Sequence, residues 1–396
     1  MNSKEIVFII CVNNELLFEE CLYYINRLQV PEGYAIDVIA IREADSMCAG
    51  YNAAMQNSDA KYKIYLHQDV FIRNTEFLFE LLQIFENDAS VGMLGMLGGV
   101  NMPKTGVTYR AWNAGAVDCR DPDMSYYLLY DMKDNENAIV EAVDGILIAT
   151  QYDIPWREDL FHHFDFYDIS QSFEMRKAGY KIVVPYQEVP WVVHDSNFVK
   201  LPHYDEGRQI CLKEYPEFLY ADGGKEFIYN KEWNLLSDEL TAMVKQMLVR
   251  GEWEQVAEII SIYRSKQMRS TELEVIGIML EIYQKEIKNN VRTGFFDGLT
   301  SWDEMYEKYM YVRFLLRRME FNLSEHEYED LINAMKADVI SYDALLTILF
   351  YGGVDRKICL RKWIEIYKSS GQLENAIKAE QVYEQVKRKP LQTCTY

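Results

Sequence analysis

The sequence predicts a layered α/β domain followed by an all-α helical domain, and three observations carry that expectation. Up to about residue 220, short β-branched runs alternate with helical stretches, the signature of an α/β unit. Eight of the nine prolines lie at or before Pro216, and none falls between there and Pro390, so the second half lacks the strongest helix breaker. The chain has 396 residues, 49% of them hydrophobic, which is enough for two buried cores. Ala221-Asp-Gly-Gly224 reads as the junction, giving expected domains of residues 1–224 and 225–396.

The run Ile6-Val-Phe-Ile-Ile-Cys-Val12 is apolar throughout and reads as a fully buried first strand. It is too short for a signal-peptide core with normal flanks and far too short to span a bilayer. Residues 15–28 then read as a helix, 36–41 as a strand, 47–56 as a helix and 62–66 as a third strand. Further on, residues 75–85 read as a helix, 91–96 and 143–150 as strands, 169–178 as a helix and 181–184 as a strand.

Past the junction, about seven helices are expected between residues 231 and 389. Thr271 with Glu274, Ser301 with Glu304 and Ser324 with Glu327 form capping-box patterns, each ahead of an apolar-periodic run. Gly251 and Gly371 fall where helices should stop. Residues 251–260 and 371–380 resemble members of helix-pair repeats but share no fixed period.

The net charge is −21, of which roughly −17 falls before residue 226. An acidic first half offers no basic stripe for phosphates, so nucleic acid is not an expected partner. A phosphate-bearing ligand there would need a divalent cation as mediator. The seven cysteines are scattered, with no CxxC pair, which fits reduced thiols and a cytoplasmic location rather than disulfides or a zinc site. No basic amphipathic stripe appears, so membrane association, if present, is expected to be peripheral.

Chemistry is expected first at Lys61-Tyr-Lys-Ile-Tyr-Leu-His-Gln-Asp-Val70, where an alternating strand runs into His67 and Asp69. Ligands of α/β folds collect at the carboxyl ends of strands, and an imidazole with a nearby carboxylate can hold a metal ion. Five of the six histidines (His67, His162, His163, His194 and His203) belong to the first domain, mostly beside acids or aromatics.

Five segments occur in an order that resembles the inverting glycosyltransferases of the family 2 type, which have the GT-A fold, and within them the branch related to the streptomycin-biosynthesis protein StrF. These are Ile9-Ile-Cys-Val-Asn-Asn-Glu15, Ile39-Ala-Ile-Arg-Glu43, Ala49-Gly-Tyr-Asn52, His67-Gln-Asp69 and the stretch from Phe166 to Ala178-Gly-Tyr180. The resemblance covers about residues 5–200 and implies a GT-A mixed sheet. It implies that Asn13, Glu43, Asn52 and His67 border the nucleotide. It also implies that Asp69 binds the metal with His194 completing the site, and that Asp168 is the catalytic base. The chain departs from the family pattern twice: His67 stands where the first aspartate of Asp-x-Asp is usual, and Tyr167 where a glutamate precedes the catalytic aspartate. Val143-Asp-Gly-Ile146 resembles the segment where a glycine, here Gly145, lets backbone approach the donor sugar and a nearby acid binds that sugar.

The implied reaction moves a sugar from a UDP- or GDP-sugar donor to a hydroxyl of a glycan, glycolipid or glycoprotein. Loss of the diphosphate builds negative charge, which a hard cation, Mn²⁺ or Mg²⁺, would neutralise through Asp69. An imidazole from His194 suits Mn²⁺ better than Mg²⁺. A carboxylate on the opposite face takes the acceptor proton, giving inversion in one displacement. Asp168 is equally compatible with capping the helix that follows it. Of Trp112, Trp156 and Trp191, one is expected to offer its face to a sugar ring. The helical domain is left with three roles: acceptor binding, homodimer formation or docking of another protein. An alternative reading is a GT-A domain that holds a nucleotide or glycan without turnover. A sugar-phosphate nucleotidyltransferase is disfavoured, because no glycine-rich phosphate loop with a nearby Lys or Arg follows the first strand.

Overall fold

Strand β1 (Asn2–Val12) forms the spine of the first unit, and its residues 6–10 are at most 1% exposed. Each such side chain contributes about 1.5–3 kcal/mol by leaving water, which is why a run with no polar interruption becomes an interior strand. The computed structural model describes residues 1–108, 111–120, 125–130, 132, 136–196, 201–222, 237–268, 270–289, 301–320, 356–369 and 371–387. The chain divides into two compact units, Met1–Tyr229 with Thr393–Tyr396, and Asn230–Gln392.

β1 pairs in parallel with β2 (Ala35–Arg42) on one side and β3 (Ala60–His67) on the other. Between them run α1 (Glu15–Ile25), capped by the Asn14 side chain, and α2 (Met47–Gln56), capped by Ser46. After β3 come β4 (Val70–Ile72), α3 (Phe77–Asn87), β5 (Val91–Gly95), β6 (Leu97–Gly99), β7 (Ala114–Arg120) and β8 (Ser125–Leu129). They are followed by β9 (Ala138–Val140), β10 (Ala142–Val143), β11 (Leu147–Thr150), α4 (Tyr167–Lys177), β12 (Lys181–Val184), β13 (Val192–His194) and α5 (Tyr204–Glu214).

The main sheet has the order β2-β1-β3-β11-β5-β12-β9, with β11 antiparallel to both its neighbours, so it is a mixed sheet of the GT-A kind. A second sheet runs β10-β6-β7-β13-β4, with β8 on β7. The strand expected at 91–96 is β5, and the chain passes at Met96 into β6 of the second sheet, whereas residues 143–150, expected as one strand, are split between the sheets as β10 and β11. The crossing is tight: Gly115 of β7 has φ +103°, and a Cβ there would lie 2.0 Å from the Met96 carbonyl oxygen. Only glycine tolerates both conditions.

The helix expected at 169–178 begins two residues earlier. Its cap, Phe166, sits in the left-handed region with φ 62° and makes no side-chain cap bond. Asp168 therefore lies inside the first turn of α4, not at its cap.

In the second unit the described helices are Asp238–Val249, Trp253–Ser265, Thr271–Asn289, Trp302–Glu320, Arg356–Ser369 and Leu373–Lys387. Gly251 (φ +78°) and Gly371 (φ +73°) follow helix ends as expected. Ser301 accepts from the Glu304 N–H at 3.2 Å, completing that cap. At the third helix the capping serine is Ser270, one residue before the expected Thr271, with its hydroxyl 3.5 Å from the Leu273 N–H. Ser324 and Glu327 lie outside the described residues. Among the described residues no helix is long and apolar enough to cross a membrane.

Candidate active site

The parallel register aligns the carboxyl ends of the first three strands, pairing Cys11 with His67 and Val12 with Arg42. Asn13, Glu43 and His67-Gln-Asp69, far apart in sequence, thus line one cavity of about 290 Å³. Phe164 and Met47 contribute apolar wall. Among its described lining residues there is no Lys or Arg. Gln68 holds this edge together: its carbonyl oxygen accepts the Asn13 and Asn14 N–H groups, each at 2.9 Å, and its amide donates to the Asn13 side chain. Glu43 has φ 56°, a left-handed backbone that costs a non-glycine residue about 1 kcal/mol or more.

His194 reaches the same place by strand pairing. β13 runs antiparallel to β4, setting His194 opposite Val70, and the Asp195 N–H donates to the Asp69 carbonyl at 2.8 Å. His194 Nε2 then lies 3.7 Å and His67 Nδ1 4.0 Å from Asp69 Oδ1. One ligating atom from each of His67, Asp69 and His194 falls within 4.8 Å of the others. The two imidazole planes are inclined at 58°, with ring centroids 6.0 Å apart. Burial pushes the His67 imidazole down to about 4, with His194 pushing the same way and Asp69 opposing. Burial also lowers His194, against Asp144 and Asp195. Both rings are therefore neutral at pH 7, the form that binds metals. Two imidazoles and a carboxylate are a donor set that fits a divalent ion such as Mn²⁺.

The break between β10 and β11 supplies the rest. His67 N–H donates to Ile146 carbonyl at 3.2 Å, which brings Asp144 and Gly145 beside the metal-type group. Gly145 N–H donates to Asp168 Oδ2 at 2.9 Å, and Ile169 N–H to Asp168 Oδ1 at 2.8 Å. Ser172 ties α4 to the same break, accepting from Val143 N–H and donating to the Asp168 carbonyl. Burial, and then the neighbouring Asp144, raise the Asp168 carboxyl to about 7 despite those N–H donors. Burial likewise raises Asp144, while the Ile146 N–H, His194 and a hydrogen bond to Trp112 pull it back.

Several expectations are redirected by the structure. Asn52 does not line the cavity: its amide donates to the Trp156 carbonyl at 2.9 Å and accepts from the Trp156 N–H at 2.8 Å. It lies five residues past cavity-lining Met47, about 140° further round α2, on the inward face. Gly145 owes its lack of a side chain to Tyr167, whose hydroxyl would be 1.9 Å from a Cβ there. Trp156 is buried against Tyr51 and Tyr65, and Trp191 packs edge-on against Phe77, so neither offers an open face to a sugar, whereas Trp112 hydrogen-bonds Asp144.

Asp144, Tyr167 and Gln68 also belong to this constellation; the resemblance gave the acid beside Gly145 a donor-sugar role, but Tyr167 and Gln68 had none. The Asp-Gly pair at a strand start was the available signal for Asp144. For Tyr167 the signal was its departure from the resembled pattern, but not its contact, because its partner His67 lies 100 residues away.

A second group, His163, His203 and Glu206, has ligating atoms equally close. Its rings stack face to face, 3.6 Å apart at 9°. Ring lone pairs lie in the ring plane, so near-parallel planes do not direct both at one ion about 2.0–2.1 Å away.

Residues 7–215, just over half of the chain, match the model of a family described as glycosyltransferase-like. No curated protein matches the chain. Among solved structures, S. aureus TarS is similar at 11% identity and a TM-score of 0.37, covering 97% of this chain and 92% of its own. The mannosyltransferase PcManGT from Pyrobaculum calidifontis, solved with GDP-Man and Mn²⁺, is 14% identical with a TM-score of 0.33. That likeness covers 53% of this chain and 61% of the mannosyltransferase. A Drosophila galactosyltransferase 7 solved with manganese, UDP-Gal and xylobiose is 14% identical at a TM-score of 0.31, covering 52% of this chain and 80% of its own. At these scores none of the three bears on substrate or mechanism.

Proposed function

The chain belongs to the glycosyltransferase-like family, and on that premise we propose that its first unit is a metal-dependent inverting glycosyltransferase. The donor is a UDP- or GDP-sugar, and the acceptor is a hydroxyl of a glycan, glycolipid or glycoprotein. The observation that carries this reading is the convergence of Asp69, His194 and Asp168 on one strand-end edge beside a cavity whose described lining has no Lys or Arg. A diphosphate in such a cavity needs a cation, and the protein offers ligands for one.

Asp69 and His194 would hold Mn²⁺ or Mg²⁺, which when bound supplies Lewis-acid stabilisation of the departing diphosphate. Asn13 and Glu43 are assigned to the nucleoside, at the cavity wall. Asp168 accepts the proton of the attacking hydroxyl. Its raised pKa suits that task, because a base titrating near the working pH is strong enough to take the proton and is still largely ionised. Gly145 N–H holds one carboxylate oxygen in place. To the helical unit we assign the acceptor or a protein partner, a second copy of the chain included. The five free cysteines among the described residues support a cytoplasmic setting, with membrane contact peripheral.

The test is release of nucleoside diphosphate from UDP- and GDP-sugars with Mn²⁺, comparing the native chain with Asp69→Ala and Asp168→Asn. Asp168→Asn should lower kcat by about 10²–10⁴-fold, and Asp69→Ala should remove metal-dependent turnover. Full activity in both variants would refute the site. Tight nucleotide binding without turnover on any donor would instead identify a binding protein.

A further inference from the structure

We propose that Tyr167 is a positioning residue that orients His67 as a third protein ligand of the cation, through Nδ1. This rests on the metal site of the preceding reading and extends it from two ligands to a set of two imidazoles and one carboxylate.

The geometry around His67 selects the nitrogen. Nε2 is hydrogen-bonded to the Tyr167 hydroxyl. Nδ1 is thereby left on the side of Asp69, whose Oδ1 is also approached by His194 Nε2. A neutral imidazole carries one proton, so a ligating Nδ1 requires the proton on Nε2, donated to the phenol oxygen. A metal-bound histidine ordinarily donates its other ring N–H to an oxygen acceptor, which fixes both tautomer and ring direction; here the phenol oxygen stands where a carboxylate, carbonyl or water is more usual. A tyrosine hydroxyl is an uncharged phenol at neutral pH, and its oxygen can accept this hydrogen bond.

Tyr167 cannot easily leave this position. Its side chain is 4% exposed, and its ring is packed against Tyr51 and Trp156 with centroids 5.9 and 6.1 Å away. Its hydroxyl occupies the space that a side chain at residue 145 would need. Gly145 therefore serves the tyrosine: it leaves room for the hydroxyl that aims His67. Residues 67 and 167 are in direct contact and form one coupled feature.

A cation held by these three residues would still have to accept diphosphate oxygens, the chemistry the preceding reading asks of it. Two imidazoles also shift preference toward Mn²⁺, Co²⁺ or Zn²⁺ and away from Mg²⁺, which favours oxygen ligands.

The experiment is direct Mn²⁺ titration of the full chain without donor, by loss of the free-ion electron paramagnetic resonance signal. Spin-echo modulation then counts imidazole nitrogens on the bound ion. The native chain should show two, and His67→Gln one. Tyr167→Phe, which keeps the ring and its packing, should weaken Mn²⁺ binding by about 10–100-fold. The double variant should be little weaker than His67→Gln alone, because the hydroxyl acts through that imidazole. A purely structural tyrosine would lower Tm but leave the Mn²⁺ Kd unchanged. Tyr167→Phe binding within twofold of native, or a single imidazole in the native chain, would overturn the proposal while leaving Asp69 and His194 as ligands. Asp69→Ala is the control for the underlying reading: unchanged binding in that variant, or none in the native chain, overturns both.

Discussion

The two histidine groups of the first unit have the same composition, two imidazoles and one carboxylate, and opposite geometry. In the first, the His67, Asp69 and His194 side chains are 28, 21 and 18% exposed, and the ring planes are inclined at 58°. In the second, His163, His203 and Glu206 are 38, 45 and 55% exposed, and the rings are stacked at 9°. The first group is assembled by sheet pairing, with His67 ending β3, His194 ending β13, and Asp69 in the turn between β3 and β4. His203 and Glu206 of the second come from the beginning of α5, and His163 from the segment ahead of α4. Residue types alone do not make a metal site; it needs ring planes that intersect, and a surrounding structure that holds them so.

The sharpest way to break this comparison is to remove one imidazole from each group. His194→Ala should weaken Mn²⁺ binding by more than about 100-fold, since a ligand loss exceeds that of an outer partner, whereas His203→Ala should leave it unchanged. Titration of both variants under one condition checks this, and equal losses would erase the distinction.

The second prediction concerns the acid that links the first group to the proposed base. Asp144 acts on both His194 and Asp168, and Asp168 is raised to about 7. A base works ionised, so turnover should be flat above about pH 8 and fall about tenfold per pH unit well below pH 7. A pH profile of kcat/KM measures it. Asp144→Asn should move the fall to lower pH by removing a like charge. A profile still falling at pH 7 in that variant would mean that Asp144 does not tune the base.

The smallest effect is on stability. Gly145→Ala drives a Cβ into the Tyr167 hydroxyl and should cost about 1–3 kcal/mol by overpacking. Thermal unfolding reads this as a lowered Tm. Glu206→Ala, in the exposed group, should stay within about 0.5 kcal/mol.

Much of the first half of the fold was legible because its signals are local. Helix α2 and strand β12 have the bounds that the sequence predicts, Met47–Gln56 and Lys181–Val184. β1 reads as buried because nothing polar interrupts residues 6–10. The sheet crossings at residues 95–97 and 143–147 were not legible. A strand that changes sheets keeps its apolar character, and the reason for the break lies in partners such as Gly115. Asn52 was misplaced for a similar reason: the face that α2 turns inward is set by Trp156, 104 residues away. The helix start at Tyr167 was hidden because its cap, Phe166, is not a capping residue type.

The sequence by itself determined that carboxylates and imidazoles stand at strand ends of an α/β unit, since strand periodicity and polar breaks are written in neighbouring residues. Tertiary structure alone decided which of them converge. His194 meets Asp69 because β13 pairs with β4, and His67 has one ring nitrogen on Tyr167 and the other toward Asp69. Ring orientation depends on contacts across a hundred residues of chain, and no local pattern encodes such a contact.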